Sequence, residues 1–321
     1  MTNQREGINS WERCSLTRKG FSLKLYKVIK SLQCKIKKIL VLFLPKRFVH
    51  IIKNHLYAHS MRFDPNKIYR YCGYILPYTP TRPIIHVIES NSYWEEGLTT
   101  TIIEELARAN VPNPLVLDIG ANVGLVTLSI IASCPSVKVI AFEPAPFQYS
   151  LLEKTVSANE LMDRVKVQKV ALGQSMGKTQ FSTHIGIDGS GLDGFFDTGV
   201  GGLPVQIIVD VDTLDNWWIS NHSPIVHLIK LDTEGSELWV LQGAIQLLQA
   251  CEPVLFIEIS PEWLKHYSYS PSDVFAWLKE HNYCLCALNG QKLTVSQLTL
   301  CMAECAGNNF MARPTIGQHK A

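Results

Sequence analysis

Leu115-Val-Leu-Asp-Ile-Gly-Ala-Asn-Val-Gly124, continuing through Val126-Thr-Leu-Ser-Ile-Ile131, is the stretch that decides the fold. Leu115, Val116, Leu117 and Ile119 read as a strand buried on both faces, and helix-period apolar residues begin at Val123. The glycines therefore fall at a strand-to-helix turn. In α/β sheets that turn is where ligands bind. Gly120 and Gly124, with Asn122 between them, permit close backbone approach, and a helix start offers unpaired N–H groups. Asp118, just before the first glycine, would repel a pyrophosphate and attract a cationic amino-acid tail. The order Gly120-Ala-Asn-Val-Gly124 also departs from the G-x-G-x-x-G of dinucleotide sites.

Downstream, Val137-Lys-Val-Ile-Ala-Phe-Glu-Pro144 reads as a second strand ending in an acid. Glu143, with Pro144 beside it, can accept two charge-assisted hydrogen bonds from ribose hydroxyls. Nicotinamide enzymes place an acid similarly, so Glu143 does not discriminate between cofactors, whereas Asp118 does. Together they select S-adenosylmethionine, which carries a cationic tail and a sulfonium. A nicotinamide-dependent oxidoreductase on the same fold is the alternative. Arg164 to Leu172 reads as a third strand, whose end at Ala171, Leu172 and Gly173 would let backbone groups meet an adenine. Helices are expected at 123–133 and 146–158, the latter with Pro146 just inside its start. Strands alternating with helices mean a parallel sheet with right-handed crossovers.

With 321 residues, 46% of them hydrophobic, the chain has ample material for a globular core. Its net charge of +2 hides an asymmetry, because residues 1–70 hold 16 Lys and Arg against three Asp and Glu. Three segments follow: a basic, partly helical N-terminal arm (1–60), a lead-in segment and helix (61–110), and a main domain (111–321). Residues 21–56 alternate apolar and lysine positions as a basic amphipathic helix would. This segment makes peripheral contact with an anionic membrane or packs as a solvated helix on the body. Its longest apolar run, Ile39 to Pro45, is too short to cross a bilayer, and no small-residue cleavage site follows it. No recognised nucleic-acid module accompanies the basic charge, so a nucleic-acid partner is not expected.

Nine cysteines, an odd number scattered through apolar runs, suggest buried thiols and a cytoplasmic setting. The spacing of Cys284, Cys286, Cys301 and Cys305 does not favour zinc. Pro65 to Pro83 reads as an irregular Tyr- and Pro-rich linker, and Ile84 to Ile88 as a short strand. Thr99 is expected to cap a helix through Leu106, with Glu104 and Glu105 exposed. Trp94 and Glu95, just ahead of the glycine strand, are candidates to line the cofactor pocket. Gly186 to Gly202 holds seven glycines among seventeen residues and reads as an acceptor-side lid. Thr213 opens a helix that Asp212 would cap.

A second informative stretch is Val226-His-Leu-Ile-Lys-Leu-Asp-Thr-Glu-Gly-Ser-Glu-Leu-Trp-Val-Leu-Gln-Gly243. A buried strand ends near Asp232, Glu234 and Gly235, and Ser236 starts a helix expected to reach Gln249. Lys230, Asp232 and Glu234 thus lie at the carboxyl edge of the sheet, the edge the cofactor uses. The next strand, Pro253 to Ser260, carries Glu258 at its end. Asp232 is the first choice for a general base and Glu258 the second. Lys230, on the same strand face as Asp232, would keep that acid ionised. These acids would also suit a magnesium or calcium ion, although nothing in the sequence requires a metal. His227, inside the strand, reads as a satisfied core residue; His184 and His266 are other candidate bases.

The chain resembles the FkbM family of S-adenosylmethionine-dependent methyltransferases. The resemblance rests on Val116-Leu-Asp-Ile-Gly-Ala-Asn-Val-Gly124, Phe142-Glu-Pro144, Ile229-Lys-Leu-Asp-Thr-Glu-Gly-Ser-Glu237, Phe256-Ile-Glu258 and Asn308-Asn-Phe-Met-Ala312. It implies a Rossmann-like class I methyltransferase fold, with a mostly parallel seven-stranded sheet, helices on both faces and a terminal hairpin closing the sheet. It also implies an O-methyltransferase whose acceptor is a hydroxyl on a sugar, glycan or secondary metabolite. A non-catalytic, membrane-associated binding protein that kept the fold is a third reading.

Overall fold

The structure, a computed structural model, describes residues 68–185, 193–196, 203–303 and 308–315. All of them belong to one compact unit, 66–321. The basic arm and most of the glycine-rich segment lie outside the described residues, as do the readings placed on them. Among the described residues no helix is long and apolar enough to cross a membrane.

The unit opens with a hairpin, β1 (Tyr69–Tyr71) and β2 (Tyr74–Leu76), where an irregular linker was expected. Two helices follow, α1 (Arg82–Ser90) and α2 (Glu96–Ala109). The expected strand Ile84 to Ile88 is part of α1 instead. Pro83 sits in its first turn with φ already set for a helix, and Ile84, Val87 and Ile88 are spaced to put one apolar face on the core. In α2, Thr99 does not cap. It lies inside the helix, where its hydroxyl donates to the Trp94 carbonyl at 2.7 Å. Glu105 is buried and paired with Arg108 and Arg313 rather than exposed.

The main sheet then begins. β3 (Leu115–Ile119), α3 (Leu125–Ser133), β4 (Lys138–Phe142), α4 (Pro146–Ala158) and β5 (Val165–Gln168) form two parallel βαβ units in the expected places. The third strand is shorter than expected. β4 runs out of ladder at Phe142, paired with Gln168, so the chain leaves the sheet. β6 (Ala171–Leu172) instead joins β7 (Gly177–Ile185) and β8 (Leu203–Asp212) in a separate three-stranded sheet. Thr213, not Asp212, caps α5 (Leu214–Ser220), accepting the Asn216 N–H, while Asp212 accepts from the Thr213 N–H and the Asn216 amide.

β9 (Leu228–Leu231) returns to the main sheet beside β3. The single helix expected from Ser236 is two, α6 (Glu237–Gln242) and α7 (Ile245–Cys251). The break is at Gly243, where a Cβ would stand 2.1 Å from the Gly173 carbonyl oxygen, so the backbone must pass close to the chain that leaves β6. β10 (Val254–Glu258), α8 (Pro261–Leu264), α9 (Pro271–Glu280), β11 (Tyr283–Ala287), α10 (Val295–Ala303) and β12 (Asn309–Pro314) complete the unit. A capping box of Ser270 and Asp273 starts α9.

The seven-stranded order is β11-β12-β10-β9-β3-β4-β5, parallel except for β12. Asn289-Gly290 turns the chain after β11, and α10 separates it from the final strand, which returns antiparallel. Apolar clusters cover both faces, one built on Leu117, Ile119, Ile229 and Leu255, the other on Val116, Val139, Leu228 and Phe256. Chain order reverses between β3 and β9, and the crevice at that switch point is where a ligand is accommodated in such a sheet.

At Gly120, φ is 78° and a Cβ would lie 1.7 Å from the Asp232 carbonyl oxygen, whereas Gly290 has φ 86° and open space around it. Gly290→Ala is expected to cost about 1–2 kcal/mol from backbone strain alone. Gly120→Ala adds a backbone clash and should cost clearly more, read as midpoints of urea unfolding. Equal losses would show that the close approach at Gly120 does not constrain the fold.

Candidate functional site

Lys230 sits at the centre of the switch point. It is the register partner of Asp118 across the β3/β9 ladder and, like Asp118, is almost fully buried. Its ammonium donates to the Gly120 carbonyl at 3.0 Å and lies 3.0 Å from Asp232 and 3.5 Å from Asp118. Burial alone would lower its pKa. Asp232, then Asp118 and Glu95, more than reverse this and hold its pKa above the ordinary lysine value. Asp118 is wholly interior, with its other oxygen accepting the Thr127 hydroxyl at 2.6 Å. Its carboxyl is therefore not open to the crevice and faces Lys230 and Thr127 instead. Asp232 keeps a side chain 21% open to solvent.

The glycine turn is wound left-handed at Gly120, Asn122 and Gly124, with φ of 78°, 51° and 84°. Gly120 and Ala121 both donate to the Phe142 carbonyl, and the Asn122 N–H donates to Glu143 at 2.8 Å. The other oxygen of Glu143 accepts the Ala145 N–H, also at 2.8 Å. Glu143 thus ties the turns after β3 and β4 together, and each of its oxygens retains a further lone pair. Burial, against the pull of those two N–H groups, pushes it up to about 7. Pro144 is half-buried beside it. Ala171 and Leu172 are buried in the second sheet, where Ala171 shares a small apolar cluster with Ala145.

The remaining predicted acids meet here. Glu95, exposed and in a left-handed backbone conformation, is pushed upward by the protein around its carboxyl and by Asp232, with Lys230 opposing. Glu234 and Glu258 are both raised, by burial first and then by Asp232. Sequence reasoning gave no role to Glu237, although the quoted stretch contains it. It is buried, and one oxygen accepts the Thr233 N–H (2.8 Å), the Thr233 hydroxyl (3.0 Å) and the Gly235 N–H (3.2 Å). That carboxyl shapes the turn carrying Glu234, and burial pushes it up to about 7. Among the described residues no three His, Cys, Asp or Glu side chains converge as a metal ion would need. His227 accepts the Leu115 N–H at 3.1 Å and is lowered by partial burial; it is satisfied as expected, but it is half-buried and precedes β9 rather than lying in the core.

The described part of the glycine-rich segment, 193–196, lies over this corner. Gly194 bridges to Ser182 and faces Glu234, while Gln148 and Thr183 hold Asp193. Phe195 packs on Trp239, and Phe196 meets the Tyr267 ring edge-on at 4.8 Å. Tyr269 donates to the Gly235 carbonyl. No sequence signal singled out these aromatic residues.

A parallel α/β sheet with a glycine turn, a buried Asp118–Lys230–Asp232 group and an acid after the second strand make up a Rossmann-like fold with a candidate ligand site at its switch point. Residues 118–285 match the model of the methyltransferase FkbM domain, and the chain belongs to that family. It is 28% identical to methyltransferase sdnD of Sordaria araneosa, over 42% of this chain and 62% of that protein, and so spans about three fifths of that relative's length. Among solved structures it is similar to methyltransferase FkbM from Methylobacillus flagellatus KT (15% identity, TM-score 0.41, 63% of this chain and 43% of that one). It is also similar to a putative caffeoyl-CoA O-methyltransferase from Staphylococcus aureus (9% identity, TM-score 0.40, 73% and 91%). The family match leaves the oxidoreductase alternative without support.

Two outcomes test the electrostatics. Lys230→Met strands a buried carboxylate and should cost about 3–5 kcal/mol in chemical unfolding. Adding Asp118→Asn should recover part of that loss, and a purely additive second loss would contradict the pairing. Separately, Glu237 titrates near 7 folded and near 4.5 unfolded. Its contribution is therefore complete below pH 4.5 and lost as pH rises through about 7. Glu237→Gln keeps an acceptor oxygen and should flatten the fall in melting temperature between pH 5 and 8. An unchanged slope would show that Glu237 is not its source.

Proposed function

We propose that the protein transfers a methyl group from S-adenosylmethionine to an acceptor hydroxyl, on a sugar, glycan or secondary-metabolite scaffold. The observation that carries this reading is the acidic group around Lys230 beside the glycine turn, in a chain of this family. Asp118, Asp232 and Glu95 outnumber the single ammonium they surround, so the crevice favours a cationic guest over a pyrophosphate. The donor set fits the cofactor: the turn at Gly120, Asn122 and Gly124 for close backbone approach, and the acids for the charged tail. The spare lone pairs of Glu143 suit the ribose, and the chain from Pro144 to Ala145, with Ala171 and Leu172 beyond it, borders the adenine side. When bound, this cofactor supplies an electrophilic methyl carbon on a sulfonium.

The chain's own residues then have to orient the acceptor and take its proton. Asp232 is the base, because it touches Lys230, keeps solvent access and is the charge that raises its neighbours. Glu234, pushed up to about 9 by burial and by that charge, donates a hydrogen bond that orients the acceptor, and Glu258, raised by the same causes, lies beside it. Asp232 takes the proton that leaves the acceptor oxygen. A cytoplasmic setting and contact of the basic arm with an anionic surface belong to the same reading. They are supported by the free thiols among the described residues and by the 16 Lys and Arg of residues 1–70.

Calorimetry should register saturable binding of S-adenosylmethionine and none of a nicotinamide nucleotide, with Glu143→Gln weakening affinity about tenfold or more. With labelled methyl donor and fractionated glycans and metabolites as acceptors, Asp232→Asn should lower transfer about 10²- to 10⁴-fold at unchanged cofactor affinity. Label on nitrogen or carbon would refute the hydroxyl acceptor. Tight cofactor binding with no transfer to any fraction would favour the non-catalytic binding protein.

A further inference from the structure

The β1–β2 hairpin lies outside residues 118–285, which match the family, yet it bonds to α3 and to the Trp94 peptide that precedes Glu95. Its turn is tight, with Cys72 and Gly73 at φ of 50° and 86°, the type I′ geometry that suits a two-residue hairpin. Asn159 at the end of α4 anchors it, accepting the Ile75 N–H at 2.7 Å and donating to the Ile75 carbonyl at 2.8 Å. Tyr71, 2% exposed, is thereby fixed in the core. Its hydroxyl accepts the Trp94 N–H at 2.7 Å and lies 2.7 Å from the Ser129 hydroxyl.

One placement of protons satisfies every group in this relay. Ser129 gives its one proton to the Leu125 carbonyl at 2.9 Å, so its oxygen accepts from Tyr71, whose own oxygen is left for the Trp94 N–H. Leu125 is the first residue of α3, directly after Gly124. On the other side of Trp94, the Thr99 hydroxyl holds its carbonyl at 2.7 Å, and the Thr99 N–H holds the Glu95 carbonyl at 2.9 Å. Between these clamps Glu95 takes φ 48° and ψ 56°. A non-glycine residue stays in that region only where its surroundings over-determine it, and such residues cluster at functional sites. The charges acting on the Glu95 carboxyl are Asp232, Lys230 and Asp118.

We propose that Tyr71 is a positioning residue for the cofactor site. By clamping the Trp94 peptide to the start of α3, it holds Glu95 in the left-handed conformation that completes the acidic group receiving the donor's cationic tail. The lead-in hairpin is then a working part of the site. The assignment of the tail rests on the methyl-transfer reading; the clamp on Glu95 does not.

Two measurements on the full chain test it. The first is a double-mutant cycle of Tyr71→Phe and Glu95→Gln, read as the dissociation constant for S-adenosylmethionine alongside the melting temperature. Tyr71→Phe should weaken binding about tenfold, the worth of one hydrogen bond, and should have no further effect in the Glu95→Gln background. Independent losses in the two backgrounds would mean that Tyr71 acts on the fold alone and would overturn the proposal. If Tyr71→Phe does not fold, Thr99→Val loosens the same peptide from its other side and enters the cycle with the same expectations. The second measurement is the titration of the ¹³C-labelled Glu95 carboxyl in the ligand-free chain, assigned by its loss in Glu95→Gln. Its midpoint should fall toward the ordinary carboxylate range in Tyr71→Phe, as Glu95 swings away from Asp232; an unmoved midpoint overturns the proposal. A wild-type chain that binds no S-adenosylmethionine yet shows this shift keeps the clamp and removes the methyl-donor reading.

Discussion

A protonated lysine in the middle of a parallel sheet is the constraint on which the rest of this structure depends. Desolvating an ammonium costs several kcal/mol, and nothing apolar around Lys230 offsets that. The compensation comes from Asp118 at the register position across the ladder, Asp232 two residues along, and the Gly120 carbonyl. Each partner in turn limits its own surroundings. Asp118 needs the Thr127 hydroxyl for its second oxygen, which fixes the rotation of α3. The Gly120 carbonyl can point at Lys230 only if the turn takes a positive φ, and the Asp232 backbone then comes so close that no side chain fits. Strand pairing, turn conformation and helix placement at the switch point thus share one electrostatic cause.

Around that cation the carboxyl groups are crowded beyond what one positive charge balances. Glu258 and Glu234 are raised by burial and by the charge of Asp232, and Glu237 survives in the interior by accepting three hydrogen bonds at one oxygen. Acids held this way raise one another's pKa, each charge that remains adding to the cost of ionising its neighbours. Glu234 and Glu258 are shifted most by burial and next by Asp232, the acid beside Lys230.

Much of this was legible because strand ends are readable. Apolar runs that stop at Asp118, Glu143, Asp232 and Glu258 announce the carboxyl edge of a parallel sheet, and the helices at 146–158 and 271–280 carry Pro in their first turns. The misreadings came where local pattern and long-range contact disagree. Ile84 to Ile88 is too short for periodicity to separate strand from helix, and Pro83 was the better guide. Val170 to Leu172 continues an apolar strand pattern, but its partner β4 has ended, so the chain pairs with β8. The helix from Ser236 breaks because Gly173, seventy residues upstream, passes beside Gly243. Thr127, Tyr71 and the backbone of Glu95 were invisible for the same reason, since each acts through a partner distant in sequence.

The segment 193–196 shows why the two halves of the crevice cannot be treated separately. Asp193 is gripped by Gln148, a buried residue on the helix that begins just after Glu143, and its charge is among those that raise Glu143. One residue on, Gly194 lies against Glu234, and Phe195 and Phe196 rest on Trp239 and Tyr267, the rings above the turn that Glu237 shapes. Tyr267 in turn leaves no room for a side chain at Gly235, whose carbonyl accepts the Tyr269 hydroxyl. Four residues therefore span from the side that would hold a ribose to the side that would hold an acceptor. Because ring packing of this kind is close and directional, a shift at Phe195 or Phe196 has to be taken up at Asp193, next to Glu143. The two sides of the crevice are mechanically joined at this point.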